Sequence, residues 1–273
     1  MNTVKGMKVY ILRSAENYSD SIGTIYGHTW ATVENPNPEH KMLHTPSSCV
    51  LIDHPTVGWI LYDTGTADDY LDTYPEHIRK NMATEKPEEF KMVNHLAMVG
   101  IKPEDVKYVI LSHMHMDHVG NNKLFINTAK FLVSEEEAGH AFRMVMGSEN
   151  PVDRGWYIRE EIILPYKKIF YLNRDEESLF PGIEIVQLPG HTPGVMGLIV
   201  HLENSGTLFF TSDAANVQAN YDGIPPAGLY DSLSFRKSID KIHDLQKKYD
   251  AKLIFSHDCE QLKELKVAPE YYD

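Results

Sequence analysis

The sequence predicts an α/β sandwich built as one domain over residues 1–273. Three observations predict it. Short apolar runs rich in β-formers recur along the whole chain. Helical patterns lie between several of them. Four of the runs lead directly into a histidine or an aspartate.

The runs that read as strands are residues 9–12, 49–53, 59–63, 108–112, 169–172, 183–188, 207–212 and 252–256. Each is bounded by turn-forming residues. The proline-containing stretch 35–46 reads as a long surface loop. Helix is expected in pieces over 67–99 and again over 135–146. The most regular pattern is C-terminal. Phe235, Ile239, Ile242, Leu245 and Tyr249 recur at steps of four, three, three and four, the spacing of one buried helix face. Asp231 or Ser232 can cap that helix. No repeat, low-complexity tract or Pro/Gly/Ser-rich linker divides the chain.

Hydrophobic residues make up 42% and charged residues 24% of the chain, a globular rather than a disordered balance. The formal net charge of −13 repels polyanions, and Lys247 and Lys248 sit in an exposed helical segment rather than a basic patch. Nucleic acid and anionic membranes are therefore not expected as partners. No run approaches a membrane span. Residues 1–10 show no apolar stretch behind a basic region, so no export signal is expected. Two cysteines, Cys49 and Cys259, fit a reducing compartment, and the expected location is cytoplasmic. A homodimer is left open.

Chemistry concentrates in Ser112-His113-Met114-His115-Met116-Asp117-His118-Val119-Gly120. A lone histidine is usually a packed or surface residue. Four imidazole or carboxylate donors directly after a buried strand are not explained that way; they suit a divalent metal such as zinc. In a tight loop His113 and His115 can reach one metal while Asp117 and His118 turn to a second. The other runs deliver His191, Asp213 and His257, and strand-end loops can bring these to one sheet edge. His28, His44, His54, His95, His140 and His243 have no such context and read as surface or packing residues.

His-x-His-x-Asp-His after an apolar strand resembles the signature of the metallo-β-lactamase superfamily. Asp63-Thr64-Gly65, Pro189-Gly190-His191-Thr192-Pro193-Gly194, Thr211-Ser212-Asp213 and Ser256-His257-Asp258 resemble its remaining motifs, in order. The resemblance spans nearly the whole chain. It implies an αββα sandwich of two mixed β-sheets flanked by helices. It also implies two divalent metal ions, with zinc the first choice and iron, manganese or cobalt chemically admissible. One metal takes His113, His115 and His191. The other takes Asp117, His118 and His257. Asp213 bridges them, and Asp63 orients a ligand histidine by a hydrogen bond.

Within the superfamily the local resemblance is strongest to the N-acyl-homoserine lactone lactonases. It is carried by Ile224-Pro225-Pro226-Ala227-Gly228-Leu229-Tyr230 with the helix after it, and by Phe255-Ser256-His257-Asp258-Cys259-Glu260-Gln261. Other branches fit less well. The secreted β-lactamases usually carry cysteine where this chain has Asp213. RNA-processing members bind a large anion. Flavodiiron and glyoxalase II-like members append further C-terminal segments, for which little chain follows His257.

The lactonase resemblance implies a small-molecule lactone substrate. A metal-bridging hydroxide attacks the ring carbonyl and Asp117 carries a proton to the departing alkoxide. Met116 and Gly228 are candidate substrate contacts, with loop packing the alternative for Met116. The family commonly has a tyrosine three residues after the bridging aspartate. This chain has Asn216 there, whose amide can donate a hydrogen bond to the carbonyl but is shorter. Tyr221 is a substitute donor or, more in keeping with its setting, a surface-loop residue. The loops around Tyr26, Trp30 and Tyr70 are a candidate acyl pocket that no spacing rule establishes. Two alternatives stay open: a hydrolase of the same fold acting on another lactone, ester, thioester or phosphoester, and a metal-dependent binding protein without turnover.

Overall fold

A computed structural model describes residues 3–25 and 31–273. Tyr26, His28 and Trp30 lie outside the described residues. The strands are β1 (Lys8–Asp20), β2 (Met42–His44), β3 (Ser47–His54), β4 (Gly58–Tyr62), β5 (Met82–Glu85), β6 (Val106–Ile110), β7 (Lys130–Ser134), β8 (Ile169–Leu172), β9 (Glu176–Phe180), β10 (Ile183–Gln187), β11 (Met196–His201), β12 (Thr207–Ser212) and β13 (Lys252–Phe255). The α-helices are α1 (Tyr70–Thr73), α2 (Glu76–Asn81), α3 (Met92–Met98), α4 (Met116–Val119), α5 (Glu135–Gly147), α6 (Arg159–Ile162), α7 (Gln218–Tyr221), α8 (Ser232–Tyr249) and α9 (Cys259–Leu262).

Two mixed sheets form. The larger runs β2-β1-β3-β4-β6-β7-β8, with β5 also pairing β1. Its first strands pair antiparallel; β4, β6, β7 and β8 pair in parallel. The smaller runs β13-β12-β11-β10-β9, antiparallel except for the β12–β13 pair.

The period-2 alternation of each strand sends side chains to opposite faces. Val9 and Ile11 of β1, Val50 and Ile52 of β3, and Ile60 and Tyr62 of β4 point between the sheets. There they meet Met196, Leu198 and Val200 of β11 and Leu208 and Phe210 of β12. The intervening Leu12, Cys49, Leu51 and Leu61 face outward onto α3 and α5 through Met92, Leu96, Ala141 and Val145. Ile199 and Phe209 face outward onto Phe235, Ile239, Ile242 and Leu245 of α8. The result is the expected helix–sheet–sheet–helix sandwich. Burying one such side chain contributes about 1.5–3 kcal/mol, so the three apolar layers supply the main driving force.

α8 forms as the spacing predicts. The Asp231 carboxylate accepts from the N–H groups of Leu233 and Ser234, and Asp250 ends the helix in the left-handed region at φ 49°. Three expectations need correction. Stretch 35–46 is not all loop: Met42–His44 pairs with Tyr18–Asp20 of β1. β1 itself runs to Asp20, because an irregularity at Arg13/Ala15 lets it turn from β3 to β2 and β5. With β2, strands β5, β7, β9 and β11 are additional to the eight expected.

Candidate metal centre

Each expected donor leaves the end of a strand. β6 runs into His113 and β12 into Asp213, while His191 and His257 follow β10 and β13. The sheets are joined beside these ends. Met196 N–H donates to Ser112 O at 2.8 Å, and the Tyr62 hydroxyl donates to Met196 O at 2.6 Å. The motif after β6 is a short extended stretch, then the helical turn α4 with His115 at its N-cap. That turn carries Asp117 and His118 toward His257, while the His118 ring stays 4.0 Å from that of His113.

All seven expected donors converge. His113, His115 and His191 offer ligand atoms within 4.8 Å of one another, as do Asp117, His118 and His257; His113, His118 and Asp213 form a group between them. Asp213 divides its two oxygens. Oδ2 lies 3.9 Å from His113 Nε2 and 3.4 Å from His191 Nε2. Oδ1 lies 3.3 Å from His118 Nε2 and 3.2 Å from His257 Nε2. Asp117 Oδ2 lies 3.6 Å from His257 Nε2 and 3.8 Å from His118 Nε2.

This arrangement fits a pair of cations. His113 Nε2, His118 Nε2 and Asp213 Oδ1 are buried without a properly angled hydrogen-bond partner among the described residues. Each such orphan costs about 1–3 kcal/mol, which a shared cation removes. Burial, reinforced by neighbouring imidazoles, pulls His113 and His115 well below the usual histidine range, and burial lowers His191. Neutral imidazole is the form that ligates a metal. Burial also opposes the charge on His118 and His257, but there the surrounding carboxylates win and both are raised. Burial works against ionisation of Asp213 as well, yet His257 and His118 hold it well below the carboxylate range.

The surrounding shell is dense. Asp63 Oδ2 accepts from His118 Nδ1 at 2.8 Å, and the Asp63 carboxylate accepts from the Ser112 N–H and hydroxyl at 2.7 Å each. Asp63 holds φ at 61°, a strained value for a non-glycine residue, at the turn that aims it inward. His257 Nδ1 is 3.0 Å from Pro46 O, and the His257 N–H donates to Asn216 O at 2.9 Å. Two glycines permit the close approach. A Cβ at Gly120 would meet Ala67 N at 2.2 Å. At Gly190, with φ +146°, it would meet Phe235 Cα at 2.5 Å, so the His191 loop lies directly on α8.

Sequence reasoning missed Glu137. This fully buried carboxylate on α5 accepts from Met114 N–H at 2.9 Å, from the Tyr157 hydroxyl at 3.1 Å and from the Thr192 hydroxyl. It thereby holds the His113–His118 loop and the His191 loop together. Tyr157 also sets its ring 4.6 Å from that of His115. One signal was present: Glu137 lies four and eight residues before the buried Ala141 and Val145, on the same helix face.

A cleft of about 420 Å³ opens over the donors; His115, Asp117, His191, Asp213 and His257 line it. Asn216, Met116 and Gly228 line it too. Met116 is also packed, 1% exposed, against Tyr74, Ile78 and Ile158. Asn216 Oδ1 is buried with no partner among the described residues. Tyr221 is a packing residue, bonded to Gln246 and stacked near His243. Tyr70 does not line the cleft; its hydroxyl donates to Thr84 O at 2.9 Å.

A family profile described as the metallo-beta-lactamase superfamily matches residues 43–257, which contain every donor above. The chain belongs to that superfamily. Among its members, an N-acyl homoserine lactonase from Bacillus thuringiensis is 33% identical over 236 residues, covering 85% of this chain and 88% of the relative. N-acyl homoserine lactonase AiiB from Agrobacterium fabrum is 27% identical over 273 residues, covering 95% and 96%. A solved N-acyl homoserine lactone hydrolase, with the product N-hexanoyl-L-homoserine at its catalytic metal centre, superposes with a TM-score of 0.83 at 30% identity. The match covers 99% of this chain and 100% of that one. No helix among the described residues of this superfamily member is long and apolar enough to cross a membrane.

Proposed function

We propose that this chain is a single-domain, dinuclear-metal hydrolase that opens the lactone ring of N-acyl homoserine lactones. The observation that carries the reading is the division of Asp213. One carboxylate facing two separate histidine sets suits a pair of ions sharing a bridge, in a chain that aligns with such lactonases over most of its length.

His113, His115 and His191 would hold one ion, Asp117, His118 and His257 the other, and Asp213 both. Imidazole and carboxylate donors suit zinc, with iron, manganese or cobalt chemically admissible in the same set. When bound, such a pair lowers the pKa of water and polarises an ester carbonyl. The chain's own residues do the rest. The cleft admits the ring end of a small amphipathic molecule: Ile22, Met82 and Trp156 give it apolar walls, and Ser19 and Asn81 line it with polar side chains suited to an amide linkage. Asn216 donates to the developing oxyanion in place of a phenol. Asp117, at the cleft floor, carries a proton to the alkoxide that leaves when the ring opens. Water enters as the ring C–O bond breaks, and one acid group is released per turnover. Both cysteines are free thiols, in keeping with a reducing, cytoplasmic setting.

Acid release from short- and long-chain acyl-homoserine lactones, with a chelated sample as control, tests the reading. Chelator-sensitive ring opening is expected. No ring opening by protein with two ions bound redirects the search to other lactones, esters, thioesters and phosphoesters.

A further inference from the structure

Beside the metal centre lies a second constellation that the lactone reaction does not use. Tyr18 of β1 sits directly opposite His44 of β2 in the antiparallel register. Glu16, two residues back, is on the same face of β1 and is the diagonal neighbour of His44. Its carboxylate meets His44 Nε2 and is itself paired with Arg13. The Tyr18 ring stacks on the imidazole at 4.9 Å and 14°, which fixes the ring plane. On the other side, His44 Nδ1 is 3.0 Å from Cys259 Sγ. Cys259 is held there because Asp258 caps α9, accepting from Glu260 N–H and Gln261 N–H, and also accepts from Gln218 N–H at 2.9 Å.

The order of partners sets the tautomer. A carboxylate on Nε2 makes that nitrogen the N–H donor, so Nδ1 is left as the acceptor that faces the thiol. A nucleophile, a base and a carboxylate that orients the base are the three parts of an activated thiol. A cavity of about 330 Å³ is lined by Cys259, His44, Thr45, Val217 and His257, so an incoming molecule has room at the sulfur. The other cysteine is a contrast within the same chain: Cys49 is fully buried in the core behind the large sheet.

We propose that Cys259, His44 and Glu16 form a nucleophilic site of their own, a covalent modification site for small carbon electrophiles. Sγ forms the new C–S bond, the leaving group departs with its electron pair, and the thiol proton passes to His44 Nδ1, where Glu16 steadies the imidazolium. Thr24, Thr45 and His257 line both this cavity and the catalytic cleft, so a bulky adduct on Cys259 presses on the wall they share.

The test is iodoacetamide labelling of the full-length protein as isolated, at neutral pH, with the modified peptides located by mass spectrometry. Cys259 alkylates at least about a hundredfold faster than glutathione, the lower end of what a positioned base contributes, while Cys49 stays unmodified. His44→Ala and Glu16→Gln each slow Cys259 labelling several-fold. Continued protection of Cys49 shows that each variant is folded; should His44→Ala expose Cys49, the Glu16→Gln variant decides. Labelling of Cys259 no faster than glutathione, or a rate unchanged in the folded variants, overturns the proposal. Equal labelling of Cys49 and Cys259 in the unaltered protein also overturns it.

Discussion

Replacing Glu137 by alanine strikes the joint between the two histidine loops without touching a metal donor. The carboxylate accepts from Met114 N–H, Tyr157 OH and Thr192 OH. Removing it strands three buried donors at about 1–3 kcal/mol each. Relief of a buried charge offsets part of this, since burial already pushes the Glu137 carboxyl above its usual range. A net loss of about 3–5 kcal/mol is expected. Tyr157, freed from its anchor, also loses its fixed position against His115. Metal affinity then falls by about 10–100-fold, the usual consequence of losing a partner behind the ligands. Denaturant titration measures the first effect and competition with a chromophoric chelator the second. Glu136→Ala, at an exposed site on the same helix, is the control and changes neither. A Glu137→Ala protein with the stability and metal affinity of the parent refutes the reasoning.

Asp63→Asn keeps the shape but removes the charge and one of the two accepting oxygens, so the Ser112 N–H and His118 Nδ1 can no longer both be accepted; metal affinity should drop about 10–100-fold with little change in secondary structure by circular dichroism. Asn216→Ala should lower kcat about 100-fold and leave KM nearly unchanged, if its amide acts only on the developing oxyanion; a change confined to KM assigns Asn216 to substrate binding instead. Burial holds the His95 pKa below its usual value. The unfolded chain therefore binds more protons there, and stability falls as pH drops from about 6.5 toward the folded value. His95→Gln should show a shallower loss of denaturation midpoint between about pH 7 and pH 5 than the parent; an equal loss removes His95 as a cause.

Much of this centre was legible in the sequence because its donors are local. His113, His115, Asp117 and His118 crowd one segment, and each remaining donor follows an apolar run that a strand explains. What stayed hidden was set by three-dimensional neighbours. Glu137 sits among three acidic residues opening a helix, and helix-end electrostatics explains all three equally well until the buried face is known. β11 holds a glycine among apolar residues, and Gly197 is needed because a Cβ there would press on Leu188 and Phe209 at 2.8 Å. β9 is a polar edge strand that pairs only with β10, so alternation gives little sign of it. The outer half of β1 carries Glu16, Asn17 and Tyr18, residues that become a strand only when β2 and β5 come to meet them.

The division of donors between two sheets bears on the order in which the protein matures. The first four leave the large sheet by residue 118, whereas His191, Asp213 and His257 belong to the small one. A nascent chain that has exposed His118 can catch an ion only loosely. Asp213, the proposed bridge, is still almost a hundred residues from synthesis, as the numbering shows. The second histidine set closes only after residue 257 is made and β13 has docked beside β12. For the proposed pair of ions, capture in the final geometry is thus expected late in biosynthesis, after both sheets have been made and docked.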